Sequence, residues 1–153
     1  MNSRTAVLAV LVGTGLLVSG CSFSREWDRA RRTPVPADDI SGAWIGTWQN
    51  SNNDHTDQLK AVITQVSDTE YRARFKAWWH GILSGTFSAT LRGRWEGNEF
   101  VFSGTEKVMA WEFTQQGRAD SAYFISEYSS ADYRGNFTMH RPEPASPPSS
   151  DSR

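Results

Sequence analysis

Between Ala37 and Arg141 the chain contains no proline, and the window is filled by short runs in which apolar and polar residues alternate. Alternation with period two puts successive side chains on opposite faces of a strand. Without proline, every residue of such a run keeps the backbone N–H that a sheet ladder needs. Tyr71–Trp79 is the clearest case: Tyr71, Ala73, Phe75, Ala77 and Trp79 fall on one face, and Arg72, Arg74, Lys76 and Trp78 on the other. Further strands are expected at Ala43–Gln49, Gln58–Val66, Leu83–Trp95, Glu99–Thr105, Val108–Gly117, Ala122–Tyr128 and Tyr133–His140.

The connections between these runs are short and rich in turn residues, among them Ser67-Asp68-Thr69-Glu70, His80-Gly81 and Glu96-Gly97-Asn98. Eight antiparallel strands joined in sequence can remove both sheet edges by closing on themselves. The expected fold is therefore all-β, an eight-stranded antiparallel up-and-down barrel over residues 40–141. A two-sheet sandwich is the alternative closure.

The six prolines stand at 34, 36, 142, 144, 147 and 148 and mark the limits of this domain. Residues 21–39 are polar, carry Arg25, Arg29, Arg31 and Arg32, and end in Pro34-Val35-Pro36. They are expected to form a disordered tether, with at most a helical turn around Arg25–Arg32. Residues 142–153 are Pro/Ser-rich and are expected to be a disordered tail.

At the amino terminus, Met1-Asn2-Ser3-Arg4 precedes an apolar run from Thr5 to Val18. The run is shorter than the roughly 20 residues needed to cross a bilayer core, and small residues follow it, which is the layout of an export signal. Leu17-Val18-Ser19-Gly20-Cys21 resembles the lipobox of bacterial lipoproteins. That resemblance implies cleavage after Gly20, removal of residues 1–20 as a signal peptide, and diacylation of Cys21. It also implies anchoring in the outer membrane facing the periplasm, because Ser22 rather than an aspartate follows the cysteine. Cys21 is the only cysteine, and lipidation accounts for an odd thiol in an exported chain.

Gly42-Ala43-Trp44, at the start of the first strand, resembles the Gly-x-Trp signature of lipocalins and related calycins. The resemblance implies a small lipocalin-like barrel in which Gly42 and Trp44 belong to the closed end. The chain is shorter than that pattern and lacks its carboxy-terminal helix, and the sequence places no arginine against Trp44.

The net charge of −1 provides no electrostatic footprint for nucleic acid. His55, His80 and His140 lack metal-site spacing, and there is no nucleophile elbow or phosphate-cradling loop. No metal or other cofactor is expected, and the reading leans away from an enzyme. In an eight-stranded meander the loops at 50–56, 80–82, 105–108 and 129–132 share one end. The candidate ligand-binding residues there and in the interior are Trp48, His55, Phe75, Trp79, His80 and Trp111. They point to binding of a small amphiphilic or apolar molecule, although the same aromatics would also suit a packed interior. In the alternative, the protein is structural and contacts an envelope partner through a basic outer wall of Lys60, Arg72, Arg74, Lys76, Arg92 and Arg94.

Overall fold

The structure, a computed structural model, describes residues 22–35, 37–108 and 111–144, with the backbone alone for Val108 and Trp111. Cys21, the expected signal segment 1–20 and residues 145–153 of the expected tail lie outside the described residues.

Eight strands follow one another: β1 (Gly42–Asn50), β2 (His55–Ser67), β3 (Glu70–Trp79), β4 (Leu83–Glu96), β5 (Glu99–Val108), β6 (Trp111–Ala119), β7 (Tyr123–Ser129) and β8 (Arg134–His140). Each pairs antiparallel with the next, and β8 pairs with β1, so the sheet closes as a barrel rather than splitting into a sandwich. Pairing lengthens several strands beyond their alternating stretches. Asn50 opposite His55 draws residues 55–57 into β2, and Thr114 opposite Thr105 carries β5 on to Val108. Between β4 and β5, Gly97 takes φ +65°, which a two-residue hairpin turn needs if it is to match the twist of its strands.

The alternation of β3 is realised as expected, with Tyr71, Ala73 and Phe75 fully buried inside the barrel. Closure at the β1–β8 seam depends on a close approach. A Cβ on Gly135 would lie 1.8 Å from the Gln49 carbonyl oxygen and 2.4 Å from Tyr128 Oη.

Trp44 plugs the end where β1 starts. Its ring lies 6.1 Å from Phe124, and its Nε1 donates to the Ile40 carbonyl at 2.9 Å. The guanidinium of Arg141, the residue after β8, lies 3.9 Å from the centre of the Trp44 ring. It donates to the carbonyls of Ser121 (2.8 Å), Ser41 (2.8 Å), Asp39 (3.2 Å) and Ala43 (3.4 Å). Burial lowers the Arg141 pKa to about 10 while Asp39 and Asp120 hold it up, so the group is cationic at neutral pH. An arginine therefore does stand over Trp44. An even number of strands returns the chain to the end where it began.

Residues 22–30 correct the expectation of a disordered tether, because they form a helix, α1. Phe23 and Trp27, four residues apart, and Ala30 make one apolar stripe. The stripe packs on Ala43, Ile45 and Val62, on the outer face of β1 and β2. Trp27 Nε1 donates to the Trp44 carbonyl at 3.1 Å, and Lys60 Nζ lies 4.1 Å from the Trp27 ring centre. Arg74 pairs with Glu26 and donates to Ser22 Oγ. A helix this short is marginal alone, and docking on the barrel wall holds it.

Candidate functional site

Aromatic packing fills the Trp44 half of the barrel and stops short of the other end. There the wall encloses an open cavity of about 500 Å³. Its floor is formed by Phe87 and Phe137, which rest on Phe75 at ring separations of 5.0 and 5.4 Å.

Four of the expected binding residues, Trp48, His55, Trp79 and His80, meet at the rim. Trp48 lies 5.2 Å from His55 and 6.0 Å from Trp79, and the two imidazoles are 4.6 Å apart. Trp48 is fixed by donating Nε1 to the Trp78 carbonyl at 2.8 Å. Phe75 lies beneath the cavity in the packed core and not on its wall. Trp111 starts β6 at the cavity end, paired with Val108, and its side chain is outside the described residues.

Asp57 organises the rim. Its carboxylate accepts the backbone N–H groups of Gln58 (2.8 Å) and Gly81 (3.0 Å), and these bonds hold its pKa below the usual carboxylate value. His55 Nε2 lies 3.6 Å from Asp57 Oδ2. The bond to Gly81 ties down the β3–β4 turn, where His80 has φ +53°, a left-handed conformation that a non-glycine residue keeps only when its surroundings impose it. Beyond this turn Ile82 and Leu83 are 84% and 66% exposed and, with Trp79, make an apolar lip beside the opening.

The sequence reading missed the polar groups deeper inside. Gln115 Nε2 donates to Ser126 Oγ at 2.8 Å, with both residues buried. Tyr128 Oη donates to the Gln49 carbonyl at 3.0 Å, and burial raises its phenol to about 12. Glu106 also lines the cavity. The inward series Phe100, Phe102, Gly104 carries on to Glu106, one residue past the expected end of this strand, so parity points to it only once the strand is known to run on to Val108. The ladder between β4 and β5 joins Arg92–Glu96 to Ser103–Glu99 and extends no further among the described residues. Toward the cavity this seam opens, and Glu106 Oε1 accepts the Thr90 N–H at 2.7 Å in place of a backbone carbonyl.

On the outer wall the six expected cations have mixed surroundings. Lys60 and Arg74 lie against α1, Arg92 pairs with Glu70, and Arg94 pairs with Glu96. Arg72 is exposed, and Lys76 lies 5.0 Å from the Trp78 ring centre. Among the described residues no group of three or more His, Cys, Asp or Glu side chains could hold a metal ion. No family model matches the chain, and no curated protein or solved structure matches it either.

Proposed function

We propose that the protein is a lipid-anchored lipoprotein of the bacterial cell envelope. On this reading its small lipocalin-like barrel binds an apolar or amphiphilic small molecule without transforming it. The observation that carries the reading is the cavity. Its volume of about 500 Å³ lies within the range of small-molecule sites, and its wall is largely apolar, built on aromatic side chains with polar groups converging among them. The exposed lip of Trp79, Ile82 and Leu83 suits the arrival of an apolar molecule from water or from a membrane surface. The Arg141–Trp44 stack at the closed end supports the lipocalin-like resemblance. The outer-wall alternative is weakened by the helix and acidic partners that engage four of its six cations.

The anchor rests on the lipobox resemblance. With Cys21 lipidated and α1 helical from residue 22, the acyl chains would attach directly to the folded unit and not to a long leash. Ser22 meets Arg74 on the outer face of β3, so the side wall of the barrel would face the membrane.

Native mass spectrometry of the full chain recovered from bacterial membranes tests both parts. The expected species lacks residues 1–20, carries a diacylglyceryl mass that Cys21→Ala abolishes, and retains a reproducible small-molecule adduct. An unlipidated chain would overturn the anchor. An adduct-free barrel whose tryptophan fluorescence ignores apolar probes would overturn the binding reading.

A further inference from the structure

We infer that the cavity selects a cationic amphiphile, an apolar chain ending in an amine, and that Glu106 is the residue that sets this preference. The inference rests on the binding reading above and adds the charge of the ligand. No lysine or arginine lines the cavity among the described residues, whereas Glu106 presents a carboxylate there. A ligand carboxylate or phosphate would face Glu106 without a compensating charge, which is costly in an apolar enclosure. An ammonium group meets the opposite situation. Phe113 is the cross-strand partner of Glu106, and both line the cavity with Tyr128 and Phe137. A cation near the carboxylate is therefore also close to aromatic faces that attract it. At the rim, His55 Nε2 lies 3.6 Å from the Asp57 carboxylate, and His80 is ring-to-ring with His55 at 4.6 Å.

A competing role for Glu106 is purely structural, since its Oε1 caps the Thr90 N–H where the β4–β5 ladder ends. That bond occupies one oxygen of two, and an ionised carboxylate can accept further hydrogen bonds through the other. Glutamine separates the roles. Glu106→Gln keeps an acceptor for Thr90 and removes only the charge, whereas Glu106→Ala removes both.

The test uses decylamine, decan-1-ol and decanoate, a matched set that differs in head-group charge. Binding to the full-length protein is followed at neutral pH by calorimetry and tryptophan fluorescence. The wild type should bind the amine at least tenfold more tightly than the alcohol, with decanoate weakest. Glu106→Gln should bring the amine to the affinity of the alcohol, with the melting temperature showing that the barrel stays folded. Equal affinity for the three probes, or preference for decanoate, would overturn the charge inference and leave the binding reading standing. An amine preference that survives Glu106→Gln would overturn the role of Glu106. Failure of all three probes to bind would remove the binding reading, and this inference with it.

Discussion

Replacing Arg141 with methionine tests whether the closed end is held by one side chain. Methionine keeps most of the aliphatic stem and removes every donor. Four hydrogen bonds of 2.8–3.4 Å to the Ser121, Ser41, Asp39 and Ala43 carbonyls would be lost, together with the stack on Trp44. Bonds from a charged donor contribute about 1.5–3 kcal/mol each, and a cation over tryptophan about 0.5–2 kcal/mol. Arg141 is only partly buried, so water can satisfy some of the freed carbonyls. A net loss of about 3 kcal/mol is expected, equivalent to a fall in Tm of about 12–24 °C for a domain of this size. Arg141→Lys keeps the charge but not the planar fork, and should lose about half as much. Thermal melts followed by far-UV circular dichroism and tryptophan fluorescence measure both variants. Should Arg141→Met melt within about 0.5 kcal/mol of the wild type, the barrel end is held by something else.

Trp27→Ala should destabilise the protein by about 3 kcal/mol. Hydrogen exchange should then show residues 22–30 losing protection while β3 and β4 keep theirs. Gly135→Ala puts a methyl group against the Gln49 carbonyl oxygen and should cost at least about 3 kcal/mol by forcing β1 and β8 apart; a melt at the wild-type temperature would show that the seam has slack. Alkaline stability provides a signed test. An unfolded tyrosine loses its proton near pH 10, whereas Tyr128 keeps its proton to about 12, so the stability it contributes is intact below pH 10 and is lost as the pH climbs to 12. After allowance for solvent screening the loss is about 1 kcal/mol. Tyr128→Phe should flatten the fall in Tm across that window, and an unchanged slope would assign the titration elsewhere.

The parts of the site that could be read in the sequence follow from parity. Alternation along β3 sorts Phe75 and Ala77 inward and Lys76 outward, and counting turns assigns the 50–56 and 80–82 loops to one end. Trp48, His55, Trp79 and His80 could therefore be brought together before their contacts were known. Glu106 obeyed the same parity but lay beyond the expected end of its strand, in the segment that only pairing with β6 keeps extended. The helix also left a sign. Ala61-Val62-Ile63 is apolar at three successive positions, so one of them must face outward and needs a cover. Phe23 and Trp27 provide it.

Taken alone, the sequence determined the number and order of the strands, the faces of those that alternate cleanly and the end at which each loop emerges, because period-two alternation is a local property that survives without knowledge of the partner strand. Tyr123, Phe124, Ile125 and Tyr128 do not alternate cleanly, and the faces of β7 were left to the structure. The sequence also carries Leu17-Val18-Ser19-Gly20-Cys21, whose resemblance to a lipobox is read as a linear motif. The tertiary structure decided what meets across long separations. It set Arg141 over Trp44, docked α1 on β1 and β2, and opened the β4–β5 seam that leaves Glu106 in the cavity wall. These contacts depend on how the closing sheet brings distant strands into register, and local periodicity carries no information about that register.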